Sequence, residues 1–193
     1  MEIHRKVKYE EELDKNFLEE IKEMSGCETI DRCIQCGTCS SSCPMAVYMD
    51  YPPRKIMGMI KNGFKEDALK SFTIWLCSSC YTCQVRCPAK IKITDVMYAL
   101  KRKAIEEEIY PSRFSMPVLD KEMSKLIAKY GRNSELWLVL NMYLKLRNPL
   151  GLLKMSGTGL SLMKTGRMSL KKEKIKNRKQ LQSLLKAVKE GEK

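Results

Sequence analysis

Eight of the nine cysteines fall into two copies of one spacing. Cys33, Cys36, Cys39 and Cys43 followed by Pro44 read C-x2-C-x2-C-x3-C-P, and Cys77, Cys80, Cys83 and Cys87 followed by Pro88 repeat it 44 positions later. Thiolates are soft ligands for iron and zinc. Three of them, each separated by two residues, can curl round three corners of a tetrahedral iron cluster from one tight loop, which leaves a fourth corner for a cysteine from elsewhere. Zinc is the plainer alternative, but structural zinc sites pair two C-x2-C knuckles across a longer span. A tetrahedral ion has no use for a third closely spaced cysteine and a Cys-Pro after it. A disulfide framework fits poorly, because Met1 to Lys15 is studded with charge and has no apolar signal segment. The expected compartment is cytoplasmic and reducing, where clustered thiols mean metal or redox work.

The run is the one that bacterial-type ferredoxins use for 4Fe-4S clusters, and in two-cluster ferredoxins the Cys-Pro cysteine ligates the cluster of the other copy. By that rule Cys33, Cys36, Cys39 and Cys87 hold one cluster, and Cys77, Cys80, Cys83 and Cys43 hold the second. Crossed ligation would keep the two clusters at a fixed short separation, as electron tunnelling needs. Cys27, the ninth cysteine, lies outside both repeats and reads as a small buried residue beside Gly26 rather than a spare ligand. The single histidine, His4, sits in a charged arm and is assigned no role.

The elements that must position these loops are helical. Residues 1 to 9 alternate weakly and suggest a short strand or arm. Leu13, Phe17, Leu18, Ile21 and Met24 recur at helical spacing and predict a helix over 10–24, stopped by Gly26. Between the loops, Pro53 suits the first position of a helix ending at Asn62-Gly63. A second helix over 65–72 leads to Trp75 and Cys77. Trp75 reads as packing that excludes solvent rather than as an electron conduit. Gly37 would allow close backbone approach to a cluster, and Ile34 would screen it from water. Arg32, Arg86, Lys90 and Lys92 near the loops would favour a more negative reduced cluster. After the second loop, Thr94 or Asp95 is the expected cap of a helix with Val96, Met97, Leu100, Ala104 and Ile105 on one face.

The doubled motif with helices in its spacer looks like the helical-ferredoxin module of respiratory iron-sulfur subunits. The wording Cys33-Ile34-Gln35-Cys36-Gly37-Thr38-Cys39, then Pro53-Arg54-Lys55-Ile56-Met57 and Trp75-Leu76-Cys77, closely resembles the C-type iron-sulfur subunit of heterodisulfide reductase from methanogenic archaea. The resemblance is strong over residues 10 to 110 and looser beyond. It implies a mainly α protein: an N-terminal arm and helix at 1–30, a dicluster helical-ferredoxin domain at 31–115 and a helical, basic extension at 116–193. It also implies a relay that passes electrons from the flavin-containing A-type subunit to the Cys-Cys-Gly B-type subunit, which reduces the mixed disulfide of coenzymes M and B, with a hydrogenase or formate dehydrogenase as a further partner. No Cys-Cys-Gly pair occurs in this chain, so the disulfide chemistry belongs on another, and no Gly-rich dinucleotide fingerprint is present. The alternatives are an iron-sulfur subunit of another flavin-linked oxidoreductase of fumarate, lactate or glycerol-phosphate type, or a nucleic-acid-binding iron-sulfur protein.

The last third is built differently. Of 36 basic and 23 acidic residues, positions 121 to 193 hold 18 basic and 5 acidic, which accounts for the whole formal charge of +13. A helix ending near Tyr130-Gly131 is expected, then one over 135–146 capped by Ser134, apolar almost all round and so expected to be buried on more than one side. Asn148-Pro149 should stop it. Residues 150–170 read as short helices, and 171–189 as a basic amphipathic helix that is solvated, docked on an acidic partner, or bound to phosphates or a membrane surface. Basic charge without a recognised module is weak support for nucleic acid, so none is expected. No apolar run is long enough for a membrane span.

Overall fold

A 14-residue helix at Ile93–Glu106 is the axis on which the first half of the chain is assembled. In this computed structural model, the residues described are 8–111, 114–147, 149–167 and 173–191. Among them the regular elements are all helical. The chain divides into two compact units, Met1–Pro111 and Ser112–Lys193.

The first unit contains α1 (Phe17–Lys22), α2 (Thr38–Ser41), α3 (Pro53–Lys61), α4 (Lys65–Lys70), α5 (Thr73–Leu76), α6 (Thr82–Val85) and α7 (Ile93–Glu106). The helix α7 presents Ile93, Val96, Met97, Ala99, Leu100 and Ala104 to one continuous core. Against them pack Phe17 and Ile21 of α1, Ile56, Met57 and Ile60 of α3, Ala68 and Leu69 of α4 and Ile74 of α5. Their burial is the main force holding the unit together, at about 25 cal/mol per Å² of apolar surface removed from water. At one edge an ion-pair network joins three helices. Lys65 lies 3.4 Å from Asp14, 3.1 Å from Glu20 and 2.9 Å from Glu107, and Lys103 lies 2.8 Å from Glu20 and 3.3 Å from Glu107. The Lys103 ammonium, then that of Lys65, holds the Glu20 carboxyl below its ordinary value. Burial alone would lower the Lys65 pKa, but its bonds to Glu107 and Glu20 raise it.

Several helix boundaries differ from the sequence expectation, and each has a local cause. The expected helix over 10–24 is a 3-10 turn at Glu10–Glu12 followed by α1. Between them the Asp14 N–H donates to the Gly63 carbonyl at 2.9 Å and the Asp14 carboxylate accepts from Asn16 N–H, so the helical ladder is interrupted. The helix expected over 65–72 ends at Lys70, because Asp50 accepts hydrogen bonds from the N–H groups of Phe72 and Thr73 and starts α5 separately. Thr94 and Asp95 lie inside α7, whose N-cap position is Lys92 with no side-chain cap. Asp95 instead packs over Gly26, where a Cβ would meet its Oδ2 at 2.6 Å. The stop at Asn62-Gly63 is as expected: Gly63 has φ +76°, and an added Cβ would sit 2.5 Å from the Asp14 carbonyl oxygen.

The second unit contains α8 (Met116–Tyr130), α9 (Glu135–Lys145), α10 (Pro149–Lys164) and α11 (Arg178–Gly191). Gly131, in the left-handed conformation, closes α8 with its N–H on the Ile127 carbonyl. Contrary to expectation, only Leu138 of α9 is buried and Leu144 is 64% exposed, because the main neighbours of α9 within this unit are α8 and α10 alone. Residues 149–164 form one helix rather than several. Glu122 of α8 is the exception to the open packing, a buried carboxylate 2.5 Å from Lys145 and 3.4 Å from Lys125. The expected arm at 1–9 falls mostly outside the described residues, as do His4 and the start of the basic stretch at 171–189. Among the described residues no helix is long and apolar enough to cross a membrane.

Candidate metal centres

Each cysteine loop is a tight curl followed by one helical turn. In the first, Gln35 and Gly37 take left-handed φ of +57° and +84°, and α2 follows with Cys39 in its first turn. In the second, Ser79 and Tyr81 take φ of +55° and +60°, and α6 carries Cys83 in the same place. The backbone therefore repeats at the same 44-residue offset as the cysteines. At Gly37 a Cβ would meet nothing closer than Arg54 Cδ at 3.7 Å, so the glycine serves the turn's φ rather than a crowded approach. Tyr81 holds the equivalent conformation with a side chain that disfavours it.

The loops face two hollows of similar size. One, of about 350 Å³ with its open mouth included, is lined by Cys33, Cys36, Cys39 and Cys87, together with apolar Ile34, Met57, Ile91 and Ile93. The other, of about 380 Å³, is lined by Cys43, Cys77, Cys80 and Cys83, with Met49, Met97 and again Ile93. Ile93 is 3% exposed and forms a wall common to both. Among the described residues no three Cys, His, Asp or Glu side chains are gathered as one ion would require. A tetrahedral zinc with bonds of about 2.3 Å would draw its sulfurs to within about 3.8 Å of one another. Thiols spread round a hollow suit a cluster, which fills that space with its own iron and sulfide.

The thiols fall into two electrostatic kinds in each loop. Cys36 and Cys80 are exposed, with Thr38 Oγ1 3.3 Å from the first sulfur and Thr82 Oγ1 3.5 Å from the second. These hydroxyls, then the threonine N–H groups, hold both thiols below the ordinary cysteine value. Burial pushes Cys39 and Cys83 up. Thr38 and Thr82 are themselves 44 positions apart, so the repeat extends beyond the cysteines to residues that sequence reasoning did not single out. Further polar contacts to sulfur differ between the sets, the Thr94 hydroxyl lying 3.9 Å from Cys83 in the second. Gln35 Nε2 lies 3.4 Å from Cys33 Sγ, and the Ile91 N–H donates to Cys87 Sγ at 3.4 Å. Turned over, the Gln35 amide bonds Arg54 O and Gly58 N, each at 3.2 Å, which satisfies both of its ends.

Of the other residues singled out in the sequence, Cys27 and Trp75 lie apart from the hollows. Cys27 is fully buried in the core, and burial, then the Asp95 and Glu28 charges, raise its thiol to about 11, which leaves it inert. Trp75 packs against the core. Ile34 does line the first hollow, though it is 69% exposed and screens only its rim. Arg54 and Lys61 had no local signal. Arg54 lines the first hollow, and Lys61 Nζ donates to the Cys33 carbonyl at 3.1 Å and the Asp31 carbonyl at 3.2 Å.

Residues 29–91 match the family described as a 4Fe-4S dicluster domain. Over 149 residues, 74% of this chain and 75% of the relative, the sequence is 31% identical to the second C-type iron-sulfur subunit of the CoB--CoM heterodisulfide reductase of Methanocaldococcus jannaschii. The chain belongs to the family of C-type heterodisulfide reductase subunits. Two other matches are shorter. Identity is 40% over 92 residues with the C-type subunit of the H(2):CoB-CoM heterodisulfide,ferredoxin reductase of Methanothermobacter marburgensis, covering 48% of this chain and 49% of that protein. It is 36% over 105 residues with the C-type iron-sulfur subunit of the CoB--CoM heterodisulfide reductase of Methanopyrus kandleri, covering 51% and 55%. The chain thus spans about half the length of these two relatives. As a dicluster protein of this family it carries two 4Fe-4S clusters.

Proposed function

We propose that this C-type heterodisulfide reductase subunit is an electron relay. Cys33, Cys36, Cys39 and Cys87 hold one cluster, and Cys77, Cys80, Cys83 and Cys43 hold the other. The observation that carries the reading is the lining of the two hollows, three cysteines of one repeat joined in each by the Cys-Pro cysteine of the other. When bound, each cluster takes up and releases one electron at a time. The chain's own residues set the conditions. Ile91, Ile93, Met57 and Met97 exclude water from the inner walls, Thr38 and Thr82 can donate to the outer thiolates, and the shared wall at Ile93 keeps the two sites one side chain apart. Electrons would arrive from the flavin-containing A-type subunit and leave to the Cys-Cys-Gly B-type subunit, where the mixed disulfide of coenzymes M and B is reduced.

Two experiments test this. Cys87→Ser is expected to remove the cluster of the first loop and Cys43→Ser that of the second, each leaving about half the iron and one of two paramagnetic signals. Loss of each variant's own-loop cluster would overturn the crossed assignment. An anaerobic pull-down from native cells is expected to bring down a flavoprotein and a Cys-Cys-Gly chain, and recovery without either would sink the proposed partners.

A further inference from the structure

The two hollows share their cysteine geometry and differ in charge. Arg54 lines the first, 14 residues beyond Ser40, whose Oγ accepts the Arg54 backbone N–H at 2.9 Å and ties the start of α3 to the first loop. Lys61, at the other end of α3, presses its ammonium onto the carbonyl of Cys33. None of the residues lining the second hollow is charged. Charges of both signs adjoin its lining in sequence, Asp50, Arg54, Lys92 and Asp95, but the side chains that line it are neutral, and the Asp50 carboxylate binds the start of α5, the four-residue helix that ends at Leu76, just before Cys77. A cation on that side, Lys101, lies over the ring of Tyr98 at 5.2 Å, and the Tyr98 hydroxyl accepts from Ser79 Oγ at 2.9 Å, so an aromatic ring intervenes. Donors to sulfur are unequal in the same sense, with the Ile91 N–H at 3.4 Å on the first set and the more distant Thr94 hydroxyl at 3.9 Å on the second.

Adding an electron adds one negative charge. Fixed cations and hydrogen-bond donors around the thiolates stabilise that charge and raise the reduction potential, and a nearby carboxylate lowers it. We propose that Arg54 and Lys61 make the Cys33/Cys36/Cys39/Cys87 site the higher-potential one, so that an electron entering at the second loop settles at the first. The inference rests on the ligand sets proposed above. The step is a one-electron transfer across the Ile93 wall: the second site is oxidised by one electron, the first is reduced by one, and no bond or proton moves. The donor is a reduced flavin. The second-loop mouth, with Cys80 and Tyr81 exposed, is therefore the entry side, and the first-loop mouth, with Cys36 and Ile34 exposed, the exit. Arg54 is itself exposed, so water screens part of its effect.

The test is a paramagnetic-resonance redox titration of the full chain, purified anaerobically and reduced with dithionite through mediators. Two one-electron midpoints are expected, and Cys36→Ser should alter the signal that appears at the higher one. Arg54→Gln should lower that midpoint alone, changing the partition of one electron between the sites by about tenfold, which is about 59 mV. Arg54→Lys should largely restore it, and Lys61→Met should shift it in the same direction by less. If Arg54→Gln loads poorly with iron, Lys61→Met decides by the same criterion. Movement of the lower midpoint, movement of neither, or a Cys36→Ser mark on the lower-potential signal would overturn the inference with both clusters still present. A wild-type chain with far fewer than about eight irons would instead remove the ligand reading beneath it.

Discussion

Met1–Pro111 and Ser112–Lys193 are both built from helices with apolar faces and use them in opposite ways. In the first unit Phe17, Ile21, Ile56, Met57, Ile60, Leu69, Ile74 and Leu100 are wholly sealed from water. In the second, Leu126 and Leu138 are the large aliphatic residues that reach burial among those described, while Leu150 and Leu153 are each 73% exposed. Two short loops that must present thiolates at fixed positions need a rigid support, and the closed core supplies it. The second unit carries the chain's excess of positive charge on helices held mainly by partial contacts, with the Glu122–Lys145 pair joining α8 to α9. Apolar content therefore predicts burial only where enough neighbouring elements converge.

The sharpest way to separate the units is to remove the metal. Chelation of iron after oxidation is expected to unfold or loosen Met1–Pro111, since the clusters bind the folded unit and not the open chain. The far-ultraviolet helical signal of α8 to α11 should survive; a single cooperative loss of all helix would erase the distinction. Core truncation comes next. Ile56→Ala or Leu100→Ala should cost about 2–5 kcal/mol in denaturant unfolding. Leu153→Ala in the second unit should change stability by about 0.5 kcal/mol or less, and equal losses at both places would break the comparison.

Glycines sharpen it further. Gly63→Ala places a methyl against the Asp14 carbonyl at a positive φ and should cost about 2 kcal/mol. Gly157→Ala, inside α10 with nothing within 4 Å of the new Cβ, should stabilise by about 0.5–1 kcal/mol. The smallest effect is electrostatic. Because the Glu20 pKa is lowered by Lys103 and Lys65, its contribution is present above its ordinary value of 4.5 and is lost as pH falls through the lower folded value. Its side chain is 34% exposed, so Glu20→Gln should cost about 0.5–1 kcal/mol at neutral pH. The difference between wild type and variant should vanish in acid, and a difference that persists at a pH well below that ordinary value would exclude the ion pairs as its cause.

Much of the first unit could be read directly because its signals are local. Pro53 and Gly63 bracket α3, and Gly131 closes α8, since proline and glycine restrict or free the backbone at their own positions. The misread boundaries have remote causes. The helix over 10–24 is broken by the pairing of Asp14 with Gly63, and α5 is started by Asp50, 23 residues before Thr73. The burial expected of α9 failed because hydrophobicity all round a helix says nothing about how many neighbours arrive to cover it.

The same division runs through the site. Spacing alone determined that the chain has two loops of three thiolates, each needing a fourth, because so short a curl closes within its own backbone. The 44-residue repeat further implied matching turns, and the imbalance of charge toward the end of the chain was a matter of counting. What only the tertiary structure decided is that Ile93 lines both hollows, and that Arg54 and Lys61 attend one and not the other. These are relations between residues brought together by helix packing. Electrostatic differences between two loops of one spacing arise from such neighbours, which no local pattern encodes.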